Sequence, residues 1–373
     1  MKSAHRLWFA AVVLGALGAC SSGPQKPRPV PLAPAANLLA TQQAWVAQVG
    51  RGPATVAPVV VRDRLFVAGA GNSVVALDVE SGRELWRHGL SAPMTAGLGS
   101  DGDTVAAVTQ NNDLVALSAG RELWRVRLSA GVYTAPLVAG RRVFVLAADR
   151  SVLAFDGETG RRLWSQSRSG EPLVLRQPGT LLAVGDTLVA GQAGRLVGLN
   201  PLNGSTRWEA PIANARGTNE VERLVDIVGP VSRSGDSVCA RAYGSAVGCV
   251  NGARGTLLWS KPAQGAVGLG GDERQVFGTE ADGRVLAWQR QNGDLAWSVD
   301  RLRYRGLSAP TLLGRVLAVG DESGLVHLMS REDGTEMARL NTDGSAVLAA
   351  PVLAGTTLVV QTRNGGVYAW RPQ

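Results

Sequence analysis

Residues 74–86 read VVALDVESGRELW, and this stretch decides the fold. It combines a short run of aliphatic residues with a turn at Gly82 and a second short run that ends in Trp86. Two such runs, separated by turn residues, are typical of neighbouring antiparallel β-strands. The same combination returns along the chain at a regular interval, which indicates a fold built from repeats of one small unit.

The apolar half of this unit occurs eight times. The copies occupy residues 74–78, 114–118, 152–156, 196–200, 247–251, 285–289, 326–330 and 367–371. A glycine turn and a tryptophan follow six of them, at Trp86, Trp124, Trp164, Trp208, Trp259 and Trp297. The seventh copy has Ala338 in place of the tryptophan. Successive tryptophans stand 38 to 51 residues apart, which is typical of four-stranded propeller blades.

The two ends of the repeat array predict how it closes. The eighth copy ends close to Gln373, with no room for a fourth strand, whereas residues 44–49 form an isolated strand pattern around Trp45. Pairing this strand with the last blade leaves no open end, and unpaired strand edges invite aggregation. We therefore predict an all-β fold over residues 44–373: an eight-bladed β-propeller with four antiparallel strands per blade. The tryptophans are expected to fill the core between blades.

The first residues resemble a bacterial lipoprotein signal peptide. A positive start with Lys2 and Arg6 precedes an apolar run, residues 7–18, that is shorter than the roughly 20 residues a bilayer requires. The run ends at Cys20, so the resemblance implies a signal peptide over residues 1–19 and an acylated, palmitate-bearing Cys20. No aspartate follows the cysteine, which by the same resemblance implies an anchor in the outer membrane, facing the periplasm. An ordinary secretion signal with a chance cysteine is the alternative.

Residues 20–43 carry five prolines between positions 24 and 34. This composition favours an extended, semi-rigid tether over a packed element. We expect the tether to give the anchored protein reach.

The sequence contains no catalytic constellation that we can identify. His88 and His327 stand about 240 residues apart, without metal-ligand spacing, and no nucleophile–base arrangement occurs. The formal charge of +8 is scattered over turns, and no nucleic-acid-binding motif is present, so we expect no nucleic-acid partner. We predict no catalytic, cofactor-binding or metal-binding residues and therefore no enzyme.

The repeat resembles that of quinoproteins, propellers that include dehydrogenases holding pyrroloquinoline quinone with a calcium ion. Those enzymes stack the quinone on a disulfide between adjacent cysteines, and this chain has no adjacent cysteines. A quinoprotein dehydrogenase or quinone-binding propeller stays as the alternative function. Cys239 and Cys249 flank a predicted hairpin, where an oxidising compartment permits a cross-strand disulfide; two buried free thiols are the other interpretation.

Two insertions interrupt the repeat, at residues 171–179 and 212–230. They occupy equivalent positions in adjacent blades, so they should lie side by side on one face, and loops on a rigid scaffold are common carriers of recognition. The second insertion contains the charged residues Glu220, Arg223 and Asp226, which are candidates for contact with a partner.

The lipoprotein signal, the eight blades, LVLR at residues 173–176 and GTNEVERLVD at residues 217–226 together resemble the BamB family. These proteins are lipoprotein subunits of the β-barrel assembly machinery, the Bam complex, in the bacterial outer membrane. The resemblance implies a non-catalytic scaffold that aids insertion of β-barrel proteins. It also implies contacts of Leu173, Leu175, Arg176 and Asp226 with the periplasmic POTRA domains of BamA.

One position departs from the family pattern, and several alternatives stay open. The family often has a second aspartate two residues after Asp226, where this chain has Val228. The two leucines could instead pack on the blade while Arg176 pairs with Asp226. The scaffold could also receive unfolded outer-membrane proteins by strand-edge pairing, or bind another periplasmic protein or glycan.

Overall fold

The computed structural model describes residues 27–53, 56–168, 173–214 and 224–372. In these parts of the chain, all regular secondary structure is β: 32 strands form eight four-stranded antiparallel sheets. The first strands of successive sheets contact one another around a central channel, so the sheets are the blades of a ring. The predicted eight-bladed β-propeller is confirmed.

The blades follow one another in chain order. Blades 1 to 4 consist of β2 (Val59–Val61), β3 (Arg64–Gly69), β4 (Ser73–Asp78), β5 (Glu84–Gly89); β6 (Gly99–Ser100), β7 (Val105–Val108), β8 (Asp113–Ser118), β9 (Arg121–Arg127); β10 (Leu137–Ala139), β11 (Arg142–Leu146), β12 (Val152–Asp156), β13 (Arg162–Gln166); and β14 (Leu181–Val184), β15 (Thr187–Gln192), β16 (Arg195–Leu199), β17 (Thr206–Pro211). Blades 5 to 8 consist of β18 (Ile227–Ser234), β19 (Ser237–Ala242), β20 (Ala246–Asn251), β21 (Thr256–Pro262); β22 (Leu269–Gly271), β23 (Gln275–Thr279), β24 (Val285–Gln289), β25 (Leu295–Val299); β26 (Thr311–Leu313), β27 (Val316–Gly320), β28 (Leu325–Ser330), β29 (Glu336–Asn341); and β30 (Val352–Ala354), β31 (Thr357–Gln361), β32 (Gly366–Pro372), β1 (Thr41–Gln48).

Burial within a blade explains the repeated motif. The two middle strands are almost entirely apolar and buried, as in β3 and β4, because a neighbouring blade packs on each of their faces. The VVALD motif is the third strand of a blade, and the GRELW motif supplies its half-exposed outer strand. The strands of a blade are antiparallel and follow one another in chain order. The hairpin between the second and third strands therefore lies on the same face of the ring as the connection from the fourth strand to the next blade.

The tryptophan and the glycine of the motif meet at the junctions between blades. The indole N–H of Trp124 in blade 2 donates to the backbone oxygen of Gly157 in blade 3 at 2.9 Å, and Trp45, Trp164, Trp259 and Trp297 make equivalent bonds. The turn glycine of the next blade packs against the indole ring of the tryptophan. A Cβ on Gly160, whose φ is +72°, would stand 2.6 Å from the Trp124 side chain. These five tryptophans thus join their own blades to the following ones, and they lie between blades as predicted.

The ring closes through the N-terminal strand. β1 pairs antiparallel with β32 over its length, from Thr41 opposite Pro372 to Gln48 opposite Gly366. Across the closing junction, the Gln361 side-chain amide donates to the Ala68 oxygen at 2.7 Å. The predicted closure is confirmed, and β1 begins three residues earlier than the sequence-based boundary at residue 44.

The described part of the tether is extended, yet it packs on the propeller. Val30 donates a backbone hydrogen bond to Arg303 and Leu38 donates one to Met337, while Leu32 and Leu39 contact the clusters on either side of blade 7. The sequence predicted a spacer without such contacts. The residues that the tether contacts, such as Arg303 and Met337, lie far from it in the sequence, which is why composition alone did not reveal these contacts. Among the described residues, no helix is long and apolar enough to cross a membrane.

Candidate partner-binding site

Two connections between blades meet on one face of the ring. One connects β13 of blade 3 to β14 of blade 4, and the other connects β17 to β18 of blade 5. The backbone N–H of Leu175 in the first donates to the Asp226 carboxylate of the second at 2.9 Å. Nearby, the Gly229 N–H donates to the Pro178 oxygen, also at 2.9 Å. The two insertions are therefore adjacent, as the sequence predicted.

A third element, the hairpin between β11 and β12, locks the two connections together. It supplies Arg150, which is only 6% exposed. One guanidinium nitrogen, Nη1, donates to Oδ1 of Asp226 at 2.9 Å, and the other, Nη2, donates to the backbone oxygen of Leu173 at 2.9 Å. The Arg150 oxygen in turn accepts a bond from the Gln192 amide at 2.7 Å. We call Arg150, Asp226 and the two backbone groups that they bind the clamp.

The clamp changes the interpretation of Asp226. Both of its carboxylate oxygens accept hydrogen bonds within the protein, and its side chain is largely buried. The alternative in which Arg176 pairs with Asp226 is not what the structure shows, because Arg150 holds that position. Sequence reasoning missed Arg150: it lies in an ordinary polar turn of a different blade, 76 residues from its partner.

The residues around LVLR divide into outward and inward sets. Leu173 is 38% exposed, and Arg176 is exposed with its guanidinium 6.0 Å from the ring centre of Tyr133. Leu175 is half-buried and lines a small cavity of about 50 Å³, together with Leu146 and Ile227. The apolar and cationic groups available to a partner are therefore Leu173, Arg176 and the Tyr133 ring. Of the two leucines, Leu175 packs inward.

The remaining predicted positions differ in what the structure shows of them. Glu220, Arg223 and the lipidation residue Cys20 lie outside the described residues. Val228, at the place where the family often has an aspartate, is 2% exposed and lines the same small cavity as Leu175.

The two cysteines occupy directly paired positions. Cys239 on β19 faces Cys249 on β20 with a Cα–Cα distance of 3.9 Å, and the two sulfurs are placed as a bridge. Both side chains are fully buried in the core between blades 5 and 6.

Metal ligands do not cluster in the described ranges. No group of three or more His, Cys, Asp and Glu side chains there could hold a metal ion. The central channel, about 630 Å³, is lined mainly by glycine, proline and aliphatic residues of the inner strands, and Arg233 is the one charged residue in the described part of that lining.

Comparison with known proteins assigns the family. The family model described as outer membrane protein assembly factor BamB matches residues 37–95 and 70–299. The protein of that name from Burkholderia pseudomallei is 38% identical over 369 residues, which are 98% of this chain and 97% of the relative. The chain belongs to the BamB family. BamB from Bordetella pertussis is 34% identical over 97% of this chain and 96% of its own length.

Solved structures agree on the fold. The crystal structure of BamB from Moraxella catarrhalis matches with a TM-score of 0.81 and 24% identity, over 89% of this chain and all of that one. Quinohemoprotein alcohol dehydrogenase from Comamonas testosteroni matches with a TM-score of 0.69 and 15% identity, over 90% of this chain and 77% of the enzyme. The enzyme thus shares the propeller architecture. Membership of the BamB family supports the assembly role predicted from the sequence over the quinoprotein alternative.

Proposed function

We propose that this BamB-family chain is a non-catalytic scaffold of the outer-membrane protein assembly complex, and that it docks BamA through the loops on blades 3 to 5. The family assignment supports the assembly role and an association with the outer membrane. The observation that carries the docking proposal is the clamp, because it holds two insertions in one arrangement with Leu173 and Arg176 facing solvent.

The exposed groups suit a protein partner. Leu173 supplies an apolar anchor, and a planar guanidinium such as that of Arg176 can donate to a carboxylate or to backbone oxygens at a strand edge. The Tyr133 ring beside Arg176 adds rigid contact area at a low entropic cost. We assign the contact to the POTRA domains of BamA, with Glu220 and Arg223 as further contact residues. Asp226 contributes by holding the loop through the clamp. We call Leu173, Arg176 and Tyr133 the docking surface.

The membrane attachment belongs to the same proposal. An acylated Cys20 would hold the protein at the periplasmic face of the outer membrane, and more than one acyl chain makes such anchoring stable. Labelling with a radioactive or clickable fatty acid tests this assignment: Cys20→Ser should remove the label and release the protein from the membrane fraction.

A double substitution tests the docking surface. Leu173→Asp with Arg176→Ala should abolish co-purification with BamA while leaving the thermal melt nearly unchanged, because both side chains are exposed. Leu202→Asp with Arg254→Ala is a matched control, since Leu202 is 67% exposed and both residues lie in turns between third and fourth strands, on the opposite face. Unchanged co-purification of the first variant would overturn the site.

The quinoprotein alternative has its own test. Adding pyrroloquinoline quinone and calcium to the purified protein should give neither a bound-quinone absorbance nor dye reduction with alcohols. Turnover in this assay would favour the dehydrogenase over the scaffold.

A second activity, strand-edge capture of unfolded outer-membrane proteins, is favoured by one observation. The outer strands carry exposed aliphatic side chains: Leu85 on β5, Leu123 on β9, Leu257 and Leu258 on β21, and Leu295 on β25. An unpaired strand edge beside apolar side chains suits an extended apolar peptide. Photocrosslinking from position 295 should capture substrate during assembly, and labelling of other subunits only would refute this activity.

A further inference from the structure

Residues 30–39 cross the outer edge of blade 7, and we call them the strap. At one end, the Val30 N–H donates to the Arg303 oxygen at 3.1 Å; at the other, the N–H groups of Leu38 and Leu39 both donate to Met337 on the outer strand, at 2.7 and 3.1 Å. Leu32 packs on the core between blades 6 and 7, and Leu39 packs on the core between blades 7 and 8. The strap then continues into β1.

Two arginines of the propeller hold backbone oxygens of the strap. Arg305 donates from Nη2 to the Val30 oxygen at 3.0 Å, and Arg339 donates from Nη2 to the Ala33 oxygen at 3.2 Å. Hydrogen bonds with a charged partner are stronger than neutral ones. Since both acceptors are backbone atoms, the contact selects the path of the chain rather than particular side chains.

Behind the arginines lies a buried network of three charged or titratable side chains. Arg305 pairs with Asp321 at 3.3 Å, and Arg339 pairs with Glu336 at 2.8 Å. His327 lies between the two carboxylates, with Nε2 3.1 Å from Asp321 and Nδ1 3.4 Å from Glu336. We call these five side chains the bracket, because they connect one strap oxygen to the other without interruption.

An ionised carboxylate in the bracket holds an arginine in place. Burial acts to raise the pKa of Asp321, but hydrogen bonds from His327, the Leu325 N–H and Ser323 outweigh it and lower that pKa to about 2. Asp321 is therefore an anion at neutral pH, and it holds Arg305 in the orientation that reaches Val30.

The strap packs at the junction between blades 7 and 8, where the repeated tryptophan is missing. At other junctions a tryptophan of the outer strand reaches the next blade, but blade 7 has Ala338 at that position. Ala338 belongs to the core between blades 7 and 8, against which Leu39 of the strap packs. The strap thus adds apolar contact at a junction that has lost a large aromatic.

We propose that the bracket is a receptor site for the strap and that it fixes where the N-terminal tether leaves the propeller, at the edge of blade 7. Its anchoring consequence rests on the proposed lipidation of Cys20. In a ring of eight blades, each blade turns the ring by roughly 45°, so blade 7 stands directly across the ring from blade 3 and about 135° from blade 4. The membrane tether and the docking surface are then held on opposite sides of the molecule.

Amide hydrogen exchange of the full mature lipoprotein tests the receptor site. In the unmodified protein, the amides of Val30, Leu38 and Leu39 should be protected. Arg305→Gln with Arg339→Gln should speed their exchange by at least about tenfold, the effect of losing charged hydrogen bonds. Arg83→Gln with Arg254→Gln removes two exposed arginines elsewhere and should leave the exchange unchanged.

A second variant acts on the strap itself and leaves the bracket intact. Val30→Pro with Leu38→Pro removes two of the three backbone donors, and the Leu38 side chain is exposed, so the propeller should stay folded while the rest of the strap exchanges faster. Rapid exchange of the strap in the unmodified protein would overturn the proposal, as would unchanged Leu39 exchange in both variants. Neither measurement involves BamA, so failure here is distinct from failure of the docking proposal.

Spin labels test the position of the exit. Labels at Arg28→Cys and Leu202→Cys should give a narrow distance distribution in the unmodified background and a broad one when Arg305 and Arg339 are replaced. A broad distribution in both backgrounds would show that the bracket does not fix the exit.

Discussion

Replacing Asp226 by asparagine should loosen the docking loop without removing any exposed side chain. Each carboxylate oxygen accepts one donor, the Leu175 N–H or the Arg150 guanidinium, at 2.9 Å. Asparagine offers one oxygen and one amide nitrogen, so one donor loses its acceptor and faces another N–H. A lost hydrogen bond of a charged, mostly buried pair costs about 2 kcal/mol, which corresponds to about a 30-fold larger open population of the loop.

Hydrogen exchange at the Leu175 amide measures this opening directly. In Asp226→Asn it should rise by about the same 30-fold factor, and affinity for BamA POTRA domains should fall only to the extent that the open state becomes populated. Arg176→Gln is the matched control: it should weaken binding and leave the Leu175 amide unchanged, because Arg176 makes no clamp contact. If Asp226→Asn abolished binding with unchanged Leu175 exchange, Asp226 would be a direct contact and the clamp argument would be refuted.

Three further outcomes follow from features of the propeller. Because the pKa of Asp321 is lowered from 3.8 to about 2, its anion stabilises the fold by about 2 kcal/mol, fully above about pH 5, and this stability is lost as the pH falls through 2. Urea titrations should show this pH dependence missing in Asp321→Asn. The Cys239–Cys249 bridge predicts that the intact protein gains the mass of two hydrogen atoms on reduction, and that removing the bridge lowers the unfolding free energy by about 3 kcal/mol. Full reaction of the unreduced protein with a thiol probe would contradict this. Gly160→Ala should destabilise by about 2 kcal/mol or more in thermal melts, since φ is +72° and the added carbon meets Trp124; an unchanged melt would contradict that packing.

The sequence was sufficient for the fold because each blade repeats the same local pattern. Alternation of buried runs, turn glycines and tryptophans determined the number of blades, and the strand around Trp45 identified the closure. The adjacency of the two insertions was also predictable, since equivalent positions in neighbouring blades lie on the same face. These inferences need only local pattern and repetition.

The clamp and the strap depend on pairings that no local pattern records. Arg150 meets Asp226 from another blade, and Arg305 meets Val30 from a position 275 residues away. A proline-rich stretch looks like a tether whether or not distant arginines hold its backbone. One signal was available: the missing tryptophan at Ala338 marked a junction that something else had to cover.

Ring closure by β1 and β32 has a consequence for how the chain is made. Residues 41–48 are synthesised more than 300 residues before their partners, residues 366–372. Ribosomes and export channels deliver a chain from its N-terminus, so the complete ring forms only after β32 has emerged. Until then β1 has no sheet to join, and the unfinished protein must be kept from pairing its free edges with other chains.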